Sequence, residues 1–339
     1  MQIQYSLFVE LLEKAAGKVV AADDARYFAE NTAETEARRS ERTDPLKSAL
    51  ADIEACAKHK DSEIEFTVDL PAYIAIDFKS HGPLPHMKQI HDELEKRSEM
   101  NGIAMAAFTN SQGMHTLASW VQGLAKRGLV AIAACNGGPA AVVPFNGTRG
   151  VFGTNPIAYG FPEKNGEILC VDMATSEIPY FEILDAKKDG VPLRERSAVD
   201  QNGEFTTNPD AALDYSESES DPVSNLVSMG GGYKGYNLTF LLELLTSGLI
   251  GMLASPQMSD DFVPEEHGSV IIVFNPKALG TKNTLQASIE SIRGALESQK
   301  PKAGETIRIP GAQGSARLKS RKEVLDIDDT LLEKLRSLA

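Results

Sequence analysis

Residues 103–108 (IAMAAF), 115–127 (HTLASWVQGLAKR) and 129–135 (LVAIAAC) decide how this sequence folds. The first and third are short apolar runs between Gly102, Gly128 and Asn136. They are too short for buried helices and have the length of strands covered on both faces. The stretch between them repeats its apolar residues at helical spacing and closes at Gly128. A strand, a helix and a second strand in this order indicate the α/β class.

Upstream, residues 5–15 and 21–37 read as two helices separated by Gly17, followed by a charged stretch at 38–44 and then Pro45. ALADIEACAKHK adds a further helix, EIEFTVDL and YIAIDF read as strands with Pro71 between them, and 86–100 is an amphipathic helix stopped by Asn101-Gly102. Downstream, 136–170 is rich in Gly, Pro and Asn, and EILCVDMA reads as a strand. Residues 186–222 look like loop, with the acidic tract YSESESD solvated within it. An apolar helix is expected within 233–253, a strand at SVIIVF (269–274), an amphipathic helix at 282–298 and a short strand at ETIRIP. A last helix, DDTLLEKLRSL, is capped at Asp328. No repeat and no linker interrupts this mixture. It suggests two interleaved lobes, one of residues 1–100 with 285–339 and one of 101–284, which carries the cofactor.

The chain has 339 residues, enough for a core that needs no disulfide or metal staple. Its 34 Lys+Arg against 48 Asp+Glu give a net charge of −14, which excludes nucleic acid and anionic membrane surfaces as bulk partners. The most apolar run, 238–253, is broken by Glu243, Thr246, Ser247 and Gly248 and is too polar to span a bilayer. The N-terminus lacks a basic-then-apolar signal region, so a cytoplasmic protein is expected. Cys56, Cys135 and Cys170 have neither redox nor metal spacing and read as small buried hydrophobes in a reducing compartment.

Several motifs carry chemistry, each with a plainer alternative. Residues 230–235 (GGGYKG) have the glycine spacing of a dinucleotide turn, but the preceding PVSNLVSM is not a convincing strand. A glycine-rich helix entry with Lys234 beside it suits an anion. Gly153-Thr154-Asn155-Pro156 is either a simple turn or a rigid loop offering polar groups to a flat ligand; Asn tolerates a left-handed φ, while the residue before Pro is pushed towards extended geometry. Asp172-Met173-Ala174-Thr175-Ser176 ends a strand, where it fits a ligand crevice or a helix cap. His86 and His91 are five apart, not at helix-face spacing, and no metal site is expected from them. His115 opens a helix after a buried strand, a common place for a site residue.

The order ACNGGPAAVVPFNG, GTNPIAYGFP, VDMATSEIPYF, GGYKGYNLTFLLELLTSGLIG and RIPG resembles the malate/L-lactate dehydrogenase type 2 family, which also holds ureidoglycolate dehydrogenase, sulfolactate dehydrogenase and Δ1-piperideine-2-carboxylate reductase. The resemblance runs from about Phe8 to near the C-terminus. It implies an α/β fold that is not a Rossmann domain, a mixed sheet with flanking helices. It implies an NAD(P)-dependent oxidoreductase acting on a small-molecule carboxylate, and a homodimer whose active site lies near the subunit interface. By the same resemblance Gly153, Thr154, Asn155, Pro156, Asp172, Met173, Ala174, Thr175, Ser176, Lys234, Gly235, Pro310 and Gly311 line NAD or NADP.

The family's Ser-His-Gly place is held here by Ser40-Glu41-Arg42, and its second histidine falls at Gly113; Ser80-His81-Gly82 lies elsewhere and reads as coincidence. Pro45 and Ala49 stand near the family's Arg and Tyr. Reducing a 2-oxo or cyclic 2-imino acid needs a positioned hydride donor, a cation for the carboxylate and a proton donor. The catalytic candidates are therefore His115 as acid, Glu41 as a substitute, Ser40 in the motif's first place, and Arg42 as the cation, with Arg38, Arg39 and Lys47 as alternatives. The expected reaction interconverts a 2-oxo acid and a 2-hydroxy acid. A cyclic imino acid reductase, or a dinucleotide-binding homologue with altered catalysis, is the alternative. RLKSRK (317–322) reads as a solvated basic face or a partner for a 2′-phosphate.

Overall fold

In the computed structural model, which describes residues 1–40, 44–114, 116–215, 222–259 and 263–339, the chain opens with β1 (Gln2–Gln4), α1 (Tyr5–Ala16) and α2 (Ala22–Arg38). Pro45 starts α3 (Pro45–Lys58), where its missing N–H costs nothing, and the Asp44 side chain caps the turn by accepting from Lys47 N. A hairpin, β2 (Glu65–Leu70) and β3 (Tyr73–Asp77), turns at Pro71, and α4 (Met87–Asn101) ends at Gly102 with φ 77°. β4 (Ile103–Thr109), α5 (Leu117–Lys126) and β5 (Val130–Cys135) realise the deciding stretch. β6 (Ile157–Pro162) and β7 (Ile168–Met173) form a second hairpin. Then come α6 (Tyr180–Asp189), the short strands β8 (Ala198–Val199), β9 (Phe205–Thr206), β10 (Leu213–Asp214) and β11 (Val223–Ser224), and α7 (Tyr233–Thr246). β12 (Ser269–Phe274), α8 (Lys282–Glu297), α9 (Ala312–Arg321), β13 (Val324–Asp326) and α10 (Asp329–Leu338) complete the chain, the last helix capped by Asp328 through Leu331 N at 3.0 Å.

The main sheet has seven strands in the order β2-β3-β4-β12-β5-β6-β7. β3 and β4 pair parallel through the α4 crossover, and the other neighbouring pairs are antiparallel. β4 and β5 point the same way but are not neighbours: β12 runs between them, antiparallel to both. The register explains the fit. Ile271 lies opposite Ala106 and Ala133, and Val273 opposite Ala104 and Ala131, so a branched central strand sits between two alanine-rich ones.

One face of the sheet is covered by the larger helical layer. Phe8, Leu12, Phe28, Ile90, Leu94 and Trp120 are buried there with Ile271 and Val273. The small strand residues let α5 lie close, and at Gly160 the contact is direct: a Cβ there would stand 2.5 Å from the Val121 carbonyl oxygen. The opposite face carries Val270, Ala107 and Ala134 against Leu238, Leu242 and Leu245 of α7. The two ends of the chain meet, because β1 pairs with β13 and α9 lies along α2. Among the described residues no helix is long and apolar enough to cross a membrane.

Three readings change. ETIRIP forms no strand; it is irregular chain leading to Gly311. The 136–170 stretch contains β6, whose glycine and proline obscured its alternation. Residues 186–222 are not one loop: α6 overlaps their start, and the paired strands β8–β9 and β10–β11 surround a second core of Val142, Ile178, Ile183, Leu193 and Leu226. Most of the acidic tract lies outside the described residues. The apolar helix expected within 233–253 is present as α7, which ends at Thr246, where Ser247 leaves helical geometry.

The α5–β6 contact yields a stability prediction. Gly160→Ala forces strand and helix apart and lowers stability by about 1–3 kcal/mol, read as a lower urea midpoint at unchanged m-value.

Candidate cofactor and active site

A carboxylate inside α7 organises the site. Glu243 is 2% exposed. Its Oε1 accepts from Asn136 Nδ2 at 3.0 Å and from the Ser255 N–H at 2.6 Å, and its Oε2 accepts from Asn155 Nδ2 at 2.7 Å. Asn155 in turn accepts the Gly137 N–H on its Oδ1 at 3.0 Å. The Ser255 hydroxyl accepts the Gly153 N–H at 2.8 Å and donates to the Gly138 carbonyl at 2.7 Å. Four stretches distant in sequence are thereby held by one buried charge whose partners satisfy both oxygens.

Asn155 has φ 34°, so the left-handed tendency of Asn prevails over the extended geometry that Pro156 favours. Its fully buried side chain is fixed on both ends by these bonds. The loop Gly153–Pro156 is consequently rigid. It is also close to its neighbour, since a Cβ on Gly137 would stand 2.5 Å from Asn155 N.

The stretch 172–176 joins the same knot through Thr175. Its N–H donates to the Thr154 carbonyl at 3.0 Å, its hydroxyl to the Asn155 carbonyl at 3.0 Å, and its own carbonyl accepts from Met229 N at 2.7 Å. Ser176 is buried and bridges to Ser228. Asp172 serves as a cap, but for a helix elsewhere in sequence: its Oδ2 accepts the Ala118 N–H at 2.9 Å in the first turn of α5. Met173 is exposed and Ala174 is half-buried.

α7 enters the knot through Gly235, where a Cβ would stand 2.0 Å from the Met229 carbonyl, so no larger residue fits. The first turn of α7 has no side-chain cap and no acidic residue, and Lys234 is exposed beside it. The Ser228 hydroxyl just upstream is buried without a partner. Uncapped N–H groups, an unpaired hydroxyl and a lysine suit a phosphate. Glu177 already accepts the Gly230 N–H at 2.9 Å, which leaves the first helical turn itself as the anion position. Pro310 and Gly311 reach the same strand from the far side: Gly311 has φ 77°, and a Cβ there would stand 3.0 Å from Cys170 N in β7. They border a cavity of about 180 Å³ with Glu163, Arg293 and Lys319.

The substrate-side candidates divide. His115, Glu41 and Arg42 lie outside the described residues. Ser40 is half-buried at the end of the α2 exit, and its carbonyl faces Arg39 Nη1 at 3.4 Å. Arg38 is engaged by Glu34 at 2.9 Å and Arg39 by the buried Glu36, whose other oxygen accepts the Leu46 N–H at 3.2 Å. Burial raises the Glu36 carboxyl above its ordinary range, with Arg39 opposing. Lys47 is exposed. A Cβ on Gly113 would touch nothing within 4 Å among the described residues. The basic 317–322 stretch is occupied: Arg317 donates to the Arg38 carbonyl at 2.8 Å and Arg321 to the Arg39 carbonyl at 3.1 Å, satisfying the end of α2.

Asn136, Glu243 and Ser255 were missed as site residues. The one signal was a carboxylate interrupting an apolar helix. His267 was also missed: it is 6% exposed, its Nδ1 lies 3.2 Å from the Asn136 carbonyl, and burial holds its pKa down. Burial likewise pushes the Cys135 and Cys170 thiols up to about 12, which leaves both unreactive at neutral pH.

A family model described as malate/L-lactate dehydrogenase matches residues 5–336. The "(2R)-3-sulfolactate dehydrogenase (NADP(+))" of Chromohalobacter salexigens is 32% identical over 242 residues, 70% of this chain and 67% of that protein. The "Ureidoglycolate dehydrogenase (NAD(+))" of Escherichia coli O157:H7 is 28% identical over 221 residues, 64% of this chain and 60% of its own length. The "Delta(1)-pyrroline-2-carboxylate reductase" of Pseudomonas fluorescens is 31% identical over 72% of this chain and 70% of that protein. Among solved structures, sulfolactate dehydrogenase from Methanocaldococcus jannaschii shares the fold with a TM-score of 0.82, at 23% identity, covering 100% of this chain and 96% of that one.

The knot predicts a specific loss. Glu243→Ala leaves the Asn136 and Asn155 amides and the Ser255 N–H unpaired in a buried place, and lowers stability by about 3 kcal/mol. Chemical denaturation measures this. Glu243→Gln, which keeps one acceptor, loses less.

Proposed function

The chain belongs to the malate/L-lactate dehydrogenase family, and from that premise we propose that it is an NAD(P)H-dependent oxidoreductase interconverting a small 2-oxo acid and the matching 2-hydroxy acid. The observation that carries the reading is the buried knot, which brings Gly153–Pro156, Thr175 and the entry of α7 together although nothing in their sequence spacing requires it.

The nicotinamide cofactor, when bound, supplies or accepts the hydride. The protein's part is to hold it. The first turn of α7 with Lys234 receives phosphate oxygens, Gly153–Pro156 and Asp172–Ser176 form the rigid wall, and Pro310-Gly311 close the far end. Rigidity matters because hydride transfer requires contact distance, and a loop fixed by Glu243 needs no ordering when ligand binds. On the substrate side, Arg42 pairs with the carboxylate and His115 delivers the proton to the carbonyl oxygen, with Glu41 as its substitute and Ser40 holding the first place of the motif. The turn at Gly113 gives the substrate room where other family members carry a histidine.

A second reading, a cyclic imino acid reductase, draws support from the pyrroline-2-carboxylate reductase relative. Both chemistries add a hydride next to a carboxylate, so one pocket design serves either. The working form is a homodimer. Leu241 at 58% and Leu249 at 67% exposure, with Phe240 and Leu244, leave an apolar surface on and after α7 that a second copy would cover. Three free cysteines are in keeping with a reducing cytoplasm.

Purified protein is expected to oxidise NADH or NADPH with pyruvate, oxaloacetate or sulfopyruvate, or with Δ1-pyrroline-2-carboxylate under the second reading. His115→Ala should lower kcat by about a hundredfold. Unchanged turnover removes His115 as the acid, and absence of turnover on every substrate sinks both readings. For assembly, Leu244→Glu is expected to convert a dimer into a monomer in light scattering; a wild-type monomer refutes the homodimer.

A further inference from the structure

Away from the cofactor knot, one cluster of metal-ligating side chains has no task in the proposed reaction. Cys56 lies near the end of α3, and His81 and His86 lie in the turn between β3 and α4. Cys56 and His81 are buried, His86 is partly so, and one ligand atom from each lies within 4.8 Å of the other two. Cys56 Sγ stands 3.9 Å from His86 Nε2. His81 is oriented by Ser62, whose carbonyl and hydroxyl oxygens both lie 3.1 Å from Nε2. Its other nitrogen, Nδ1, is buried without a hydrogen-bond partner, in a residue only 5% exposed.

We propose that Cys56 Sγ, His81 Nδ1 and His86 Nε2 bind one Zn²⁺ ion, with water in the fourth position. One thiolate and two imidazoles at tetrahedral reach are a zinc donor set. The Ser62 carbonyl accepting from Nε2–H supplies the outer contact that metal-bound histidines usually make, and it is what leaves Nδ1 free. An unpartnered buried nitrogen is otherwise a cost with no return.

The backbone holds this arrangement before any ion arrives. Gly82 is pressed on α3, where a Cβ would stand 2.3 Å from Asp52 Cα, and the Asp52 Oδ2 accepts the Leu84 N–H at 2.9 Å. The Asp52 carboxyl also acts on Cys56 electrostatically, and the His59 ring faces His81 at 6.2 Å between centroids. Without metal all three ligands are neutral: burial pushes the Cys56 thiol up to about 12 and the His86 imidazole down to about 4. Binding replaces the thiol hydrogen, so Cys–SH and Zn²⁺ give Cys–S–Zn⁺ and one H⁺ released to solvent. The ion ties α3 to the turn after β3, and water in its fourth position leaves the site open. His86 and His91 gave no metal spacing because His91 belongs elsewhere, its Nδ1 2.8 Å from the Tyr27 hydroxyl; the partner of His86 is brought by the fold.

Full-length protein stripped with chelator and titrated with Co²⁺ tests this. The expected result is a thiolate-to-cobalt charge-transfer band that saturates at one equivalent and is displaced by Zn²⁺. Cys56→Ser abolishes the band, His86→Gln weakens binding at least tenfold, and Zn²⁺ raises the melting temperature of wild type but not of Cys56→Ser. Circular dichroism establishes that the variants are folded. No band in wild type overturns the proposal, whatever the variants do. So does a band that survives in folded Cys56→Ser, or one unaffected by His86→Gln.

Discussion

A buried carboxylate must be hydrogen-bonded on both oxygens or it destabilises the fold around it. Glu243 meets that demand with Asn136, Asn155 and Ser255, and the site follows from the solution. Each partner is itself committed to a loop backbone: Asn155 to Gly137, Ser255 to Gly153 and Gly138. The charge in α7 therefore specifies where the loop at the end of β5, the loop before β6 and the segment after α7 come together. Had the position been leucine, the same helix would pack on the sheet but would hold those loops only through Thr239, whose carbonyl accepts from Asn155 Nδ2 at 3.3 Å and whose hydroxyl lies 3.1 Å from that of Thr175.

The sheet makes the knot possible by its strand order. β12 enters between β4 and β5, so the C-terminal end of β5 and the start of β12 adjoin, and Asn136 N–H donates to the Gly268 carbonyl at 2.9 Å. α7 crosses the same face, which brings Glu243 over that junction. A directly paired β4 and β5 would leave no such place. The alanines of both strands accommodate the branched residues of β12, and the insertion is thus a matter of side-chain volume as much as hydrogen bonding.

These relations explain what could be read in advance. The strand–helix–strand pattern at 103–135, the cap at Asp328 and the stop at Gly102 act over a few residues, and local spacing reveals them. Glycine and proline in β6 hid its alternation, and the two-residue strands β8 to β11 are made by pairing alone, with no periodicity of their own. The position of β12 depends on contacts more than 130 residues apart in the chain. For the candidate site, Gly153–Pro156, Asp172–Ser176 and Lys234-Gly235 stood out as turn or helix-entry motifs, because such places require particular residues, and the family resemblance made them cofactor candidates. Asn136, Glu243 and Ser255 did not, since a polar residue reveals its partner only when the chain has folded. The role of Asp172 shows the same limit: a cap was expected, but the helix it caps is α5.

The contrast between the two halves of the site has a physical origin. The cofactor half is built from backbone geometry and one satisfied charge. Gly235 permits no Cβ, Asn155 must hold a left-handed φ, and each loop depends on the others, so a change at one position is paid for at all. The proposed substrate half draws on the chain leaving α2 and on the turn around Gly113. There a substitution alters chemistry without moving the frame: Glu36 keeps the start of α3 tied through Leu46 N whichever residues occupy the exit of α2. Under the proposed function, a fold arranged this way keeps its dinucleotide geometry constant while the group opposite the nicotinamide is exchanged. Departure from the family's usual histidines beside intact cofactor motifs is the outcome such a division of labour favours.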